Sequence, residues 1–273
     1  MNEIVVPHDY HIHTRFSCDG EQNMEDVCER ALDLGLPEIC FTEHVDFTPG
    51  DPCSFHFEAD EYFRALARVR EQYGDRLLIR AGAEMGESHR FPYETEILMD
   101  EYPFDFIIGS LHWVGEEFVF SRDYFERNGK HAAYQKYFEE LLVMVRVGGF
   151  DVVGHFDVVK RYGYDVVGPY DPHEHEEIIR EVLTACVDEG IGLEVNTSTL
   201  RRPVGEPSPS LTILKWYREL GGEIVTLGSD AHETAHVGYA LADMVELLQA
   251  AGFEYVARFV DRQAEFVRIT SNE

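Results

Sequence analysis

Histidine and acidic side chains recur in this chain at spacings that suit a cage for metal ions. His11-Ile12-His13 sets two imidazoles two residues apart. On an extended chain such positions project to one side, so both can grip one ion. Asp230-Ala231-His232 repeats the spacing near the other end of the sequence. Between them, Asp19 follows His13 by six residues, and Glu43-His44, Glu84, Ser110-Leu111-His112, Gly154-His155 and Glu194-Val195-Asn196 each follow a short apolar run. A lone histidine after such a run is more often a core or surface residue than a ligand. The repetition along the whole chain is what points to metal chemistry. Imidazole and carboxylate together suit zinc, manganese or iron, and such ions serve hydrolysis by acidifying water.

These groups need a frame that brings them to one place. The chain alternates short apolar runs with amphipathic stretches. Strands are expected at 4–10, 38–42, 77–83, 106–110, 151–154, 192–195 and 223–227. Helices are expected at 24–34, 59–73, 93–101, 132–147, 172–189, 208–220 and 239–251. Glycine follows several of them, as in Leu34-Gly35 and Glu189-Gly190, which suits a helix end before a strand. Seven β–α alternations without a Pro-rich linker predict a parallel sheet. Closing it gives an α/β barrel that takes residues 1–273 as a single domain, and in such barrels the loops after the strands carry the chemistry. Each candidate ligand would then lie at the same rim, and the last strand would close beside the first. The tail, 253–269, reads as one or two short strands with a final helix or edge.

Composition narrows the partners. The 273 residues include 52 acidic and 23 basic side chains, a formal charge of −29. Nucleic-acid binding normally needs clustered Lys and Arg, so a small substrate is expected and no nucleic acid, although excess acid also serves plain solubility. No run approaches the roughly 18 apolar residues that cross a bilayer. Residues 1–6 lack a basic start and a long apolar run, so no secretory signal is read there. A soluble, cytoplasmic protein is expected, with no membrane partner; the oligomeric state is not legible. Five cysteines, at 18, 28, 40, 53 and 186, show no C-x-x-C spacing. Neither a disulfide framework nor a zinc knuckle is indicated, and a reducing compartment is expected. Cys18 reads as a buried inert thiol. His8, His56, His89, His131, His173, His175 and His236 follow no ligand pattern and read mostly as surface residues. His56 and His89 fall in loops that could form a lid. His173-Glu174-His175 follows Pro172 at a helix start, where positions two apart diverge, so it is rejected as a site.

Taken together, His11-x-His13, Asp19, Glu43-His44, Glu84, His112, His155 and Asp230-x-His232 resemble the signature of the PHP (polymerase and histidinol phosphatase) superfamily. The resemblance covers nearly the whole chain. Within that superfamily, Asp9-Tyr10-His11-Ile12-His13-Thr14 is similar to the stand-alone histidinol-phosphate phosphatases. So are Gly154-His155-Phe156-Asp157 with Lys160-Arg161-Tyr162, and Glu194 to Ser198 with Leu200-Arg201.

The resemblance implies a distorted (β/α)7 TIM-like barrel and up to three divalent transition metals, Zn, Mn or Fe. It would give the first ion His11, His13, Glu84 and Asp230. Glu84 would bridge to a second ion held with His112 and His155, and Asp19, His44 and His232 would hold a third. His11, His13, Glu84 and Asp230 would be central to catalysis. Six neutral imidazoles and three carboxylates carry −3, so three divalent ions would leave the pocket near +3, a site for a small phosphate.

The implied reaction is hydrolysis of a phosphate monoester, L-histidinol phosphate first, by a metal-activated hydroxide. The alternatives are another phosphate, such as a nucleotide or short oligonucleotide, and a non-catalytic regulatory metal module. Arg161 and Arg201 match phosphate-binding positions, and the guanidinium fork suits phosphate; surface ion pairs are the plain alternative. Lys160 and Arg202 are adjacent substitutes. Asn196 and Ser198 are expected to meet substrate. Glu43 and Glu194 are expected to orient ligand histidines, or in the case of Glu194 to face the barrel floor.

Overall fold

The computed structural model describes residues 6–269. Ile4 and Val5, where the first strand was expected to start, lie outside the described residues. Eleven strands follow one another: β1 (Asp9–Ile12), β2 (Glu38–Val45), β3 (Leu78–Gly86), β4 (Phe106–Ser110), β5 (Trp113–Val114), β6 (Glu117–Phe118), β7 (Val152–Val153), β8 (Gly192–Asn196), β9 (Val225–Gly228), β10 (Tyr255–Val260) and β11 (Gln263–Arg268). The helices between them are α1 (Met24–Asp33), α2 (Ala59–Tyr73), α3 (Pro92–Glu101), α4 (Arg122–Asn128), α5 (Lys130–Val147), α6 (Val159–Val167), α7 (Glu176–Glu189), α8 (Leu211–Glu219) and α9 (Leu241–Ala251).

Seven strands form one sheet in the order β1-β2-β3-β4-β7-β8-β9, every pairing parallel. A further parallel bridge, Ile12 to Ala231, joins the last strand to the first. There the His13 amide donates to the Ala231 carbonyl at 2.9 Å. The sheet is therefore a nearly closed barrel with helices around it, the expected (β/α)7 arrangement.

Alternation along each strand sorts side chains between two cores. Ile39, Phe41, Ile107 and Val153 face outward into the large cluster formed with the helices. Cys40, Phe106, Ile108 and Val152 face inward with Tyr10. The lower mouth is closed by the β10–β11 hairpin, whose Ala257 and Phe259 complete that inner cluster. Phe259 stacks obliquely on Phe106 at 4.9 Å, and its amide donates to the Tyr10 hydroxyl at 3.1 Å. The tail thus plugs the barrel, and no final helix forms among the described residues.

Several expectations are corrected. The helix expected over 208–220 starts only at Leu211. Pro209 pushes Ser208 away from the helical region, and Ser208 instead bridges Asn196. The helix expected from Pro172 opens with a 3-10 turn over Pro172–His175. The β5–β6 hairpin, α4 and α6 were not foreseen. Cys18 and Cys53 are paired in a disulfide, with Cα atoms 5.2 Å apart, whereas Cys28, Cys40 and Cys186 are free and buried. With the partners 35 positions apart in the sequence, only the fold makes that pairing visible. No helix among the described residues is long and apolar enough to cross a membrane.

Candidate metal centre

The carboxyl ends of the strands bring the cage together, and three local features aim its side chains. The first is in β1. Asp9 pairs with Ile39 but Ile12 pairs with Phe41, so β1 carries one extra residue. Such a bulge re-aims side chains. It lets Tyr10 point into the lower core while its neighbour His11 reaches the upper rim, although a regular strand would set them on opposite faces. The second is length: β2 and β3 run past their expected ends to Val45 and Gly86, so His44 and Glu84 are strand residues and rigidly held. The third is backbone strain. His155 (φ 24°) and Asp230 (φ 53°) sit at positive φ, a conformation few side chains adopt without a functional reason.

Glu84 is the hub. Its Oε2 lies 3.4 Å from both His11 Nε2 and His13 Nε2, and 3.0 Å from His44 Nδ1. Its Oε1 lies 2.8 Å from His155 Nε2 and 3.5 Å from His112 Nε2, and accepts from the Ser110 hydroxyl. Asp230 Oδ1 faces His13 Nε2 at 3.6 Å, His11 Nε2 at 3.9 Å and His232 Nδ1 at 3.4 Å. Asp19 touches His44 Nε2 at 3.6 Å and His232 Nε2 at 3.3 Å. All nine predicted ligand positions therefore lie in one cluster.

The outer contacts fix the imidazoles. His11 Nδ1 is 2.5 Å from Glu194 Oε1, so this ring donates to Glu194 and turns its Nε2 lone pair inward. The Ser17 hydroxyl donates to Glu43 and so accepts from His13 Nδ1 at 3.0 Å, which frees His13 Nε2 in the same way. Glu194 contacts His11 directly, and Glu43 reaches His13 through Ser17. Yet His11 Nε2, His13 Nε2, His44 Nδ1 and Glu84 Oε2 are buried without a hydrogen-bond partner. Buried polar atoms are costly to leave unmatched. Of these, His11 Nε2, His13 Nε2 and Glu84 Oε2 converge on one point and fit a cation, while His44 Nδ1 lies 3.0 Å from Glu84 Oε2.

Charge without a cation is balanced by protons. Burial opposes protonation of His44, but Glu84, Asp46 and Asp19 outweigh it and push its pKa up to about 9. Burial likewise opposes a charged His11 and a charged His112, and the surrounding carboxylates raise both well above the usual imidazole range. His13 goes the other way: burial and the neighbouring His232, His44 and His11 hold it neutral. Metal ions require the unprotonated rings. Metal binding at pH 7 should therefore release protons, and affinity should climb between pH 6.5 and about 9 as His44 loses its proton. For the metal-free chain the sign is opposite: a raised imidazole stabilises the fold fully below its unfolded value of 6.5, and that contribution is lost as pH rises through about 9. Calorimetry of metal binding in buffers of different ionisation enthalpy reads the release; zero protons released at pH 7 would contradict this balance.

Above the cluster opens a cavity of about 560 Å³, bordered by the cage and by Phe120, Tyr162, Arg161, Arg201 and Arg202. Arg161 stands at the start of α6 with its Nε buried and unpartnered. Arg201 donates to the Ser229 and Asp230 carbonyls at 2.9 and 3.0 Å. Burial lowers its pKa and Arg161 adds to the effect, while Asp230 works against them; both guanidiniums line the one cavity.

Other expected residues fall elsewhere. Lys160 is buried against Asp157, Glu206 and the Pro207 carbonyl, each within 3.0 Å, and has no donor left for a phosphate. Asn196 and Ser198 are buried and do not border the cavity. The Asn196 amide points at Glu194 and Asp230, and its Oδ1 accepts from the Ser198 amide, so the pair supports the cage from below. His8 is not a surface residue: burial pushes its pKa down to about 3, and its Nε2 accepts from Leu227. His175 is buried too, and His89 is tied to Glu140 at 2.9 Å, not free in a lid. Two buried carboxylates escaped the sequence reading. Glu87 accepts from the His112 and Trp113 amides. Asp46 lies between His44 and His112; His44-Val45-Asp46 has the same two-residue spacing as His11-x-His13, and that was the available signal.

A parallel seven-stranded barrel with a histidine–carboxylate cage at its carboxyl rim places the chain among the metal-site α/β barrels. The chain belongs to the PHP domain family, which it matches over residues 9–198. It is 34% identical over 254 residues to the histidinol-phosphatase of Lactococcus lactis, covering 92% of this chain and 93% of that protein. It is 28% identical to the histidinol-phosphatase of Bacillus subtilis, covering 87% and 98%. The solved structure of the L. lactis histidinol phosphate phosphatase, complexed with Zn, L-histidinol and phosphate, superposes with a TM-score of 0.87 at 32% identity, over 96% of this chain and 99% of that one.

Proposed function

We propose that this protein hydrolyses L-histidinol phosphate to L-histidinol and phosphate, a step of histidine biosynthesis, in the cytoplasm. The observation that carries the reading is the convergence of orphaned ligand atoms from His11, His13 and Glu84 beneath a cavity that two guanidiniums face. His11, His13, Glu84 and Asp230, then Glu84, His112 and His155, then Asp19, His44 and His232, are the groups to hold up to three divalent ions (Zn, Mn or Fe). When bound, such ions supply Lewis acidity toward phosphoryl oxygens and acidify water.

The chain's own groups do the rest. Arg161 and Arg201 take the phosphate by charge-assisted hydrogen bonds, which also relieves their mutual repulsion. Glu194, and Ser17 with Glu43, hold His11 and His13 in the orientation that faces the cage. A formal charge of −29 repels polyanions, so a small phosphate is favoured over nucleic acid. The relatives' names and the zinc, histidinol and phosphate in the neighbouring structure support the same substrate.

The test compares phosphate release from histidinol phosphate, mononucleotides and nitrophenyl phosphate with manganese, zinc or iron supplied. The expected result is a kcat/KM for histidinol phosphate at least about 10²-fold above the others, the scale that a site matched to one alcohol reaches. Equal efficiency on mononucleotides would move the reading to another phosphoester.

A further inference from the structure

Asp46 follows directly on β2, and its carboxylate is almost wholly enclosed. Its Oδ1 lies 3.5 Å from His112 Nδ1 and its Oδ2 lies 3.7 Å from His44 Nδ1. His112 turns its other nitrogen to Glu84, and His44 turns its other nitrogen to Asp19. His112 is thus bracketed, with Asp46 on one edge and the cage on the other, while the Nδ1 edge of His44 faces both Asp46 and Glu84. The same carboxylate reaches two rings that belong to different ligand groups, His112 with Glu84 and His155, and His44 with Asp19 and His232. Asp46 Oδ1 has no hydrogen-bond partner although it is buried. The neighbouring strand leaves room for it: a Cβ on Gly86 would sit 2.0 Å from Asp46 Oδ1, so a larger residue there would displace the carboxylate.

From this geometry we infer that Asp46 is a positioning residue that orients His112, and with it His44, toward the metals. A carboxylate that accepts the Nδ1 proton leaves Nε2 as the lone pair for a cation, and raises its basicity. For His44 the nearer acceptor is Glu84 Oε2, at 3.0 Å. Once Glu84 serves a cation, its oxygens are committed and Asp46 is the acceptor that remains. The residue therefore links the second ligand group to the third without itself touching the substrate. The inference rests on the metal-dependent reading above, and extends it to how two of the ions are coupled.

The experiment titrates chelator-stripped wild type, Asp46→Asn and Gly86→Ala with manganese, following bound metal by elemental analysis and by competition with a metal indicator. Asp46→Asn keeps the volume and removes the charge. The expected result is a 10- to 100-fold weaker affinity for the last ions bound, the usual cost of losing such an outer partner. Stability of the metal-free form should fall by less than the metal affinity does, because Asp46 there also faces the protonated His44 and His112. Gly86→Ala should reproduce the loss, because it displaces the same carboxylate. Unchanged affinity and stoichiometry in Asp46→Asn would overturn the inference, as would an affinity loss matched by an equal fall in metal-free stability. If wild type itself takes up no metal, the proposed function fails instead, so the two failures are distinct.

Discussion

Glu84→Gln should lower phosphate release by about 10³-fold, the scale of removing a preorganised charge stabiliser, and should leave fewer ions bound per chain. The expectation follows from position. One oxygen of Glu84 faces His11, His13 and His44, and the other faces His112 and His155. Burial alone would raise its pKa, yet His11 and His44 hold it well below the usual carboxylate range, so it is an anion in the folded chain. Glutamine has almost the same shape but replaces one oxygen with an amide nitrogen that cannot ligate. It also removes one negative charge from a site that must hold several positive ones. Elemental analysis and phosphate release, measured on the same preparation, check it. Full metal content with full turnover would remove Glu84 from its central role.

Arg201→Ala should raise the KM for phosphate substrates by about 10- to 100-fold, the value of one or two hydrogen bonds to a charged group. If Arg201 binds substrate and transition state alike, KM takes the effect and kcat stays near its original value. The residue has a second duty, because its guanidinium also holds the Ser229 and Asp230 carbonyls next to a ligand at positive φ. A structural role alone would show as a fall in kcat with loss of metal and an unchanged KM, and that outcome would contradict phosphate binding. Arg161→Ala provides the comparison, since its Nε has no hydrogen-bond partner and its guanidinium packs on Tyr162, not on a cage residue.

Much of the site is written into the sequence by a rule of position. Ligands that lie far apart in the chain all follow strands, and a barrel brings strand ends to one rim. His11, His44, Glu84, His155 and Asp230 could be gathered that way because each is local to its own strand. What stayed hidden depends on pairing between strands or on contacts across loops. The bulge in β1 is a property of register against β2, and without it the alternation of Tyr10, His11 and His13 cannot be read correctly. The Cys18–Cys53 pairing needs two loops to meet. Lys160 looked like a phosphate ligand beside Arg161, yet adjacent positions on a helix point apart, and α6 turns Lys160 into the acids Asp157, which is buried, and Glu206. His8 and His175 read as surface residues because nothing in their neighbours announces burial. The tail was ambiguous for a related reason. Its alternation suits a strand, but only the open lower mouth of the barrel explains why Phe259 turns inward against Phe106.

The most direct test of the central claim is the metal content of the purified chain after expression in metal-replete medium, read together with its hydrolysis of histidinol phosphate before and after chelation. The account predicts more than one transition-metal ion per chain, with turnover lost on stripping and restored on metal return. A chain that carries no metal and still releases phosphate at an undiminished rate would contradict it.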